Sequence, residues 1–217
     1  MKSIEPMHRR TFLKQYSMLA ITMPMFGLGL ASLSGCSNNS RLAHAASDTK
    51  AKKGSWKIVT VTDKEPGEPL IVSGTIYSPD GTKPLEGINL FVYQTDATGV
   101  YSTTAGNGDN RDTRIHGLMT TGPDGRYEFR TIKPGSYPNS RNPAHIHAYI
   151  SGPGYPEYWI DEYHFTDDPF VSEEDKRKAT RLGSFSAVLA LQRGDDGVLR
   201  GIRDIKVELC SRNCTGR

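Results

Sequence analysis

The sequence predicts an all-β fold, a β-sandwich with long loops and one short helix. Short segments rich in β-branched and aromatic residues recur along the chain, and turn sequences such as Pro79-Asp80-Gly81 and Pro123-Asp124-Gly125 separate them. Several short strands punctuated by glycine and proline are typical of sandwiches and barrels. The predicted strands are 70–77, 88–95, 127–132, 145–150, 185–191 and 205–209.

One segment, residues 172–182, has the pattern of a helix. Ser172 is a suitable N-cap, Asp175 follows three residues later, and basic residues gather toward the other end. The stretch 98–119 is polar and contains glycine, so we expect a long loop there. A loop of that length in a compact domain is more often functional than idle.

The N-terminal 36 residues are typical of a targeting segment. Residues 8–14, HRRTFLK, resemble a twin-arginine export signal, an apolar stretch follows, and Leu33-Ser34-Gly35-Cys36 resembles a lipobox. On this interpretation Cys36 becomes the lipid-bearing first residue of a membrane-anchored lipoprotein facing the periplasm or the cell exterior. The alternative is an accidental N-terminal cysteine. Residues 37–55 then form a polar tether, and residues 56–217 form one domain.

The charge of the chain gives no support for a nucleic-acid partner. The whole chain has a formal net charge of +3, but residues 1–36 hold four basic residues against one acidic residue. The remainder is therefore neutral, with 23 basic and 23 acidic residues. A domain without net charge has no excess positive charge with which to attract a polyanion such as a nucleic acid.

Cys210 and Cys214 are the other two cysteines. In an oxidising compartment their spacing predicts a small terminal disulfide, with two free thiols as the alternative. A zinc site would need two further ligands, and none lies nearby in the sequence.

The pair His145-Ile146-His147 is the strongest indication of chemistry. Residues two apart in a strand point to the same face, so both imidazoles can meet one ion. A His-x-His pair alone is a weak signal. Together with Tyr137, eight residues earlier, and Tyr101, it indicates a redox metal site rather than a zinc finger.

These motifs resemble those of the intradiol ring-cleavage dioxygenases, the catechol and protocatechuate dioxygenase-like family, in a compact, exported lipoprotein form. The resemblance runs from about residue 67 to 169 and is carried by residues 67–74, 87–96, 99–102, 121–137 and 143–147. It implies a non-haem Fe(III) ion in the β-sandwich. The implied ligands are Tyr101, Tyr137, His145 and His147.

Those ligand types fit a ferric ion. A tyrosine phenol ordinarily titrates near pH ~10, but a bound trivalent ion makes the phenolate the stable form. Neutral imidazoles complete the ligand set. The resemblance implies a catechol-type substrate and O2. The ring would open between its two hydroxyl-bearing carbons to a cis,cis-muconate-type product, with Tyr101 yielding its place to the substrate.

Three positions depart from the family pattern. The family's arginine, three residues before the first histidine, is Asn142 here, and Arg141 lies one residue earlier. The family's glutamine is matched by Glu162, and Tyr93 stands where tryptophan is common. We therefore take Tyr101, Arg141 and Glu162 as candidate catalytic residues, and Tyr93 and Asn142 as candidate pocket residues.

Two alternatives stand beside the enzyme. One is a non-catalytic β-sandwich binding module, because the Asp124-Gly125-x-Tyr-x-Phe sequence also occurs in prealbumin-like and adhesin domains. The other is an iron-binding homologue that has lost turnover. His116 and His164 belong to no motif, and we expect them at the surface or as outer neighbours of the site.

Overall fold

The structure, a computed structural model, describes residues 54–102 and 110–209 and confirms the all-β sandwich. Its strands form two sheets. The elements are β1 (Lys57–Val59), β2 (Pro69–Tyr77), β3 (Asn89–Gln94), β4 (His116–Thr120), β5 (Arg126–Ile132), β6 (Ile146–Gly152), β7 (Tyr155–Phe165), α1 (Glu173–Leu182), β8 (Val188–Leu189), β9 (Gln192–Arg193), β10 (Leu199–Ile202) and β11 (Ile205–Lys206). Short 3-10 turns lie at Asn110–Asp112 and Gly183–Phe185.

The two sheets enclose one hydrophobic core. The first sheet has the strand order β1-β5-β2-β10-β9, with β11 also paired to β2, and the second has the order β4-β3-β6-β7-β8. Inward side chains alternate with outward ones along each strand. The core residues include Leu70, Val72, Phe129, Leu90, Val92, Ile146, Ala148 and Ile150.

This alternation decides where the two histidines face. Ile146, Ala148 and Ile150 of β6 belong to the core. The residues between them must point away from the core, so His147 and Tyr149 lie on the outer face of the second sheet. Tyr93 of β3 lies opposite His147 in the strand register and faces the same way. The candidate site is therefore built on the outside of the sandwich.

Most of the predicted elements are present. Strands β2, β3, β5 and β6 lie where the pattern indicates, although β6 begins at Ile146, one residue after His145. The helix is also confirmed, with the Ser172 hydroxyl accepting a hydrogen bond from the Asp175 amide at 3.1 Å.

Several predictions were wrong. Residues 185–191 hold the end of a 3-10 turn and the two-residue strand β8 instead of one long strand, because only Val188 and Leu189 pair with β7. The strand predicted at 205–209 is limited to Ile205–Lys206. The loop predicted to reach residue 119 ends where β4 pairs with β3. Strands β1, β7, β9 and β10 were not predicted.

Some predictions fall outside the described residues. These are the export segment with Cys36, nearly all of the tether, the Cys210–Cys214 disulfide, and residues 103–109 of the long loop. Within the ranges that the structure describes, no helix has both the length and the apolarity needed to cross a membrane.

Candidate metal centre

Four side chains converge at one point on the outer face of the second sheet. The Tyr137 phenol oxygen lies 3.1 Å from His145 Nε2 and 3.4 Å from His147 Nε2. The two Nε2 atoms are 3.2 Å apart. The Tyr101 phenol oxygen completes the cluster at 2.8 Å from that of Tyr137. The structure thus brings together all four residues of the implied ligand set.

The two histidines are fixed by their backbone. Strand β6 pairs with β3 on one side and β7 on the other, so His147 sits in the middle of the sheet. His145 precedes the strand, and the neighbouring Ala144 amide donates to the buried carboxylate of Asp168 at 2.9 Å. Both rings are largely buried, at 7% and 9% exposure. Their direction is therefore set before any ligand arrives.

The two tyrosines come from loops that are locked together. Gly99 has φ +81°, and a Cβ atom there would lie 1.8 Å from the Ser136 carbonyl oxygen. Only glycine permits this approach. The Gly135 amide donates to the Asp96 carbonyl at 2.9 Å, and the Thr95 hydroxyl donates to the Gly135 carbonyl at 3.0 Å. These contacts hold the segments before Tyr101 and Tyr137 side by side.

Asp96 shapes the first of these loops. Its carboxylate accepts from the Thr98 amide at 2.8 Å and from the Val100 amide at 3.1 Å. Burial opposes ionisation, but these donors together hold the pKa of Asp96 below its usual value. The ionised carboxylate accepts hydrogen bonds within the turn, and this turn leads directly to Tyr101.

The Nδ1 atoms of the two rings point away from the cluster, and their contacts show which ring nitrogens carry the protons. His145 Nδ1 lies 2.7 Å from the Pro143 carbonyl oxygen, which can only accept, so this nitrogen carries the proton. His147 Nδ1 lies 2.8 Å from Glu162 Oε1, in a contact too bent for a regular hydrogen bond. With a proton on each Nδ1, both Nε2 lone pairs point into the cluster.

This arrangement fits a metal ion. Tyr137 can donate its proton to only one of the two Nε2 atoms, so the other lone pair faces the cluster without a donor. Two donors at about 2.1 Å from one ion, at an angle of about 100°, lie about 3.2 Å apart, which is the separation of the two Nε2 atoms. A cation bound between the two Nε2 atoms would satisfy the lone pair that Tyr137 leaves without a donor.

The phenols favour a strongly charged ion. Burial raises the pKa of Tyr101, and the hydrogen bond with Tyr137 raises it further. Burial also raises the pKa of Tyr137. Both oxygens are therefore protonated when no cation is bound. Anionic oxygen is the ligand that hard cations prefer, so a trivalent ion can offset the cost of ionising them.

Glu162 supports the cluster from outside. Its carboxylate contacts the Nδ1 of His147 and lies 3.6 Å from His164 Nε2. The contact with His147 is the main reason that the pKa of Glu162 is lowered. His145, His147 and Glu162 together could hold an ion, with ligand atoms within 4.8 Å of one another. Because Glu162 meets the nitrogen opposite Nε2, it acts here as an orienting carboxylate.

Aromatic rings pack around the cluster. The ring of Tyr93, a predicted pocket residue, is buried and stacks on His147 with centroids 4.6 Å apart. Trp159, 39% exposed, meets His147 edge-on at 5.2 Å. Trp159 was not among the residues predicted for the site, and the roles of Gly99 and Asp96 were not predicted either. The Asp-x-x-Gly spacing was the available signal for that loop.

The two candidates for the arginine position lie apart from the four donors. Arg141 is exposed, and its guanidinium carbon lies 5.6 Å from the centre of the Phe170 ring. Asn142 is also exposed, and its backbone amide donates to the Ser140 hydroxyl at 3.0 Å. His164 is a neighbour of Glu162, and His116 contacts the Thr113 carbonyl.

Comparison with known proteins agrees with this geometry. A family described as "Dioxygenase" matches residues 44–198. Catechol 1,2-dioxygenase 1 of Acinetobacter lwoffii is 27% identical over 154 residues, covering 58% of this chain and 49% of that protein. The protocatechuate 3,4-dioxygenase beta chain of Burkholderia cepacia is 32% identical over 124 residues, covering 52% and 51%. The chain thus spans about half the length of these curated relatives.

Solved structures show the same fold. The dioxygenase domain of a dioxygenase carbohydrate-binding protein fusion from Streptomyces sp. SirexAA-E superposes with a TM-score of 0.54 at 26% identity, over 75% of this chain and 97% of that one. An intradiol ring-cleavage dioxygenase from Tetranychus urticae has a TM-score of 0.55 at 20% identity, over 75% and 90%.

The sandwich and the family match define a dioxygenase domain. More particularly, the chain belongs to the intradiol ring-cleavage dioxygenase family.

Proposed function

We propose that this chain is a non-haem Fe(III) dioxygenase that cleaves a catechol-type ring between its two hydroxyl-bearing carbons, giving a cis,cis-muconate-type product. The observation that carries the proposal is the convergence of Tyr101, Tyr137, His145 and His147 on one point. A ferric ion held there supplies the Lewis acidity and redox chemistry that let a catechol react with O2.

The two tyrosines have different positions and therefore different roles. Tyr137 contacts both histidine nitrogens and Tyr101, so it is the central anchor. The Tyr101 hydroxyl is hydrogen-bonded to Tyr137 and to neither histidine nitrogen, and the residue is only half-buried. Burial raises the pKa of its phenol when no cation is bound. Tyr101 is placed to accept a proton from a substrate hydroxyl at its Oη.

The surrounding residues keep the cluster in place. Glu162 holds the Nδ1 side of His147, and the stacked Tyr93 ring limits tilting of the same imidazole. Both histidines are shielded from solvent. Fixed donors of this kind act without reorganisation during the reaction. The proton-accepting role proposed for Tyr101 does not require a carbonyl or a carboxylate next to its phenol.

The test uses the purified protein reconstituted with ferric iron. We expect one iron per chain, a wine-red tyrosinate-to-iron charge-transfer band that shifts on addition of catechol, and O2 uptake with a ring-opened product identified by mass. A protein that stays colourless and iron-free contradicts the proposal. Iron and colour without O2 uptake over a panel of catechols indicates the homologue that has lost turnover. Ligand binding unchanged in Tyr137→Phe and His147→Ala indicates the binding module.

We also propose that the protein is exported by the twin-arginine route and anchored through a lipid on Cys36. The order of the motifs, paired arginines, apolar stretch and lipobox, supports this proposal. We expect the Cys36→Ala variant to lose labelled fatty acid and to leave the membrane fraction. We expect replacement of both Arg9 and Arg10 by lysine to block export. Unchanged labelling and fractionation in these variants contradict the proposal.

A further inference from the structure

A second cavity lies beside the candidate metal centre. Its volume is about 720 Å³, and it is enclosed by strand β7, helix α1 and the segment that follows this helix. None of the four donor residues lines it. Glu162 forms part of its wall and touches the Nδ1 of His147, on the side of that ring away from the donor cluster. The cavity is therefore separate from the candidate metal centre.

Arg203 brings a buried positive charge to this cavity. The residue is only 5% exposed and belongs to the cavity wall. Its Nη1 donates to the Asp161 carbonyl at 2.8 Å, and its guanidinium carbon lies 4.3 Å from the centre of the Tyr163 ring. Its Nε has no hydrogen-bond partner, and no ion pair joins it to a carboxylate among the described residues. A buried cation without an anion is costly.

His164 adds a second polar atom without a partner. Its Nδ1 is buried and unpaired, and the residue lines the same cavity. Within the described ranges, three buried side-chain polar atoms lack a hydrogen bond, and two of them belong to Arg203 and His164. Buried polar atoms are normally satisfied. Both atoms are shielded from solvent beneath the cavity surface, so they show a wall whose polar groups are incompletely paired, and a ligand would contact the rest of the Arg203 guanidinium.

The rest of the wall defines the kind of ligand. Apolar side chains line the side of the cavity nearest α1, among them Phe170, Leu182 and Phe185. The carboxylate residues Asp161, Glu162, Asp175 and Glu208 also line the cavity, against the cations Lys178 and Arg203, so the wall disfavours any ligand with more than one negative charge. The volume is in the range of small-molecule sites, which combine apolar walls with a few polar groups.

We propose that this cavity binds a small organic monocarboxylate with an apolar body, such as an aromatic acid. The carboxylate accepts from the guanidinium of Arg203. The apolar body packs on Phe170, Leu182 and Phe185. A guanidinium matches a carboxylate in geometry as well as in charge. The proposal does not depend on the dioxygenase activity.

The test measures benzoate binding by calorimetry on the purified protein, with ferric iron and again after removal of iron by a chelator. We expect one benzoate per chain in both forms, with at least about tenfold weaker binding of benzamide, its neutral analogue. Equal affinity for benzoate and benzamide overturns the proposal. So does benzoate binding that disappears with the iron, or no saturable binding up to about 10 mM.

Two variants locate the site. We expect Arg203→Met to weaken benzoate binding about tenfold or more without changing benzamide binding. Arg203 also donates to the Asp161 carbonyl, so its replacement carries a risk of unfolding. A second variant, Leu182→Glu, avoids this risk because it changes a 46% exposed residue of the cavity wall. It should weaken benzoate binding, whereas Leu118→Glu, at a 49% exposed residue outside the wall, should leave it unchanged. Equal effects of the two leucine variants overturn the assignment.

Discussion

The donor cluster has two halves that are built differently. The histidine half comes from one strand, where His145 and His147 are two residues apart and β6 is paired on both sides. The tyrosine half comes from two loops, and Tyr101 and Tyr137 are 36 positions apart in the chain. The first half depends on strand periodicity, and the second depends on close packing between loops.

This difference shows what each half requires of the sequence. The histidine half needs only the alternation of a strand and a carbonyl or carboxylate behind each ring. The tyrosine half needs Gly99 and Gly135 at a place where two backbones touch, because a Cβ at either residue would lie under 3.0 Å from backbone atoms. Substitutions at residues that are not donors can therefore break the tyrosine half while leaving the histidine half intact.

The largest effect is expected at Tyr137, which joins the two halves. Tyr137→Phe removes the oxygen that contacts both Nε2 atoms and Tyr101, so we expect ferric affinity to fall by more than about a hundredfold. Tyr101→Phe removes an oxygen that contacts only Tyr137, so the loss should be smaller. Iron titration followed at the charge-transfer band measures both. Tyr77→Phe, on β2, is the control. Equal losses for Tyr101 and Tyr137 would contradict the proposed anchor role.

The next effect is expected at Gly99. Gly99→Ala adds a Cβ that collides with the Ser136 carbonyl at a residue with φ +81°. We expect a loss of about 3 kcal/mol or more in the free energy of unfolding and displacement of Tyr101. Urea denaturation and iron content measure the two consequences.

Gly154 provides a matched control for Gly99. It has nearly the same φ, +82°, but no atom lies within 4 Å of an added Cβ. Gly154→Ala should therefore cost only the backbone penalty of about 1–2 kcal/mol and leave iron content unchanged. If both variants lose the same stability, the contact between the loops does not hold the tyrosine half.

The smallest effect is expected at Glu162, on the histidine half. Glu162→Gln keeps the shape of the side chain but removes the charge beside His147 Nδ1. We expect ferric affinity to fall about 10- to 100-fold with little change in thermal stability. Glu157→Gln, an exposed glutamate on the same strand, is the control. An unchanged affinity for Glu162→Gln would show that its contact with His147 does not orient the ring.

The sequence was most informative where periodicity is regular. The positions of β2, β3, β5 and β6 were predictable from their β-forming residues and flanking turns, and the alternation of apolar residues at Ile146, Ala148 and Ile150 indicated the direction of His147. Strand β7 was missed because its alternation is broken. Tyr158, Tyr163 and Phe165 are all buried, but a register shift against β6 places Tyr163 five positions after Tyr158, an odd spacing. Neither Pro156 nor the charged residues of β7 favoured a strand.

The candidate site was predictable in its donors but not in its supports. The family motifs carry Tyr101, Tyr137, His145 and His147, and the structure brings these four together. The locking of Gly99 against Ser136 depends on residues 37 positions apart, and no local pattern reveals such a contact. The burial of the Arg203 guanidinium is similarly a product of tertiary packing, since it meets the distant Asp161 and Tyr163.

The register shift in β7 has a consequence for how this centre can vary. Between the pairs Ala148–Ile160 and Ile146–Tyr163, two residues of β7 stand opposite His147 alone. Removal of either one would restore regular pairing and decide which acidic side chain, Asp161 or Glu162, remains behind the imidazole. A one-residue change in the length of β7 would thus change the acidic side chain next to His147 without replacing any of the four donors.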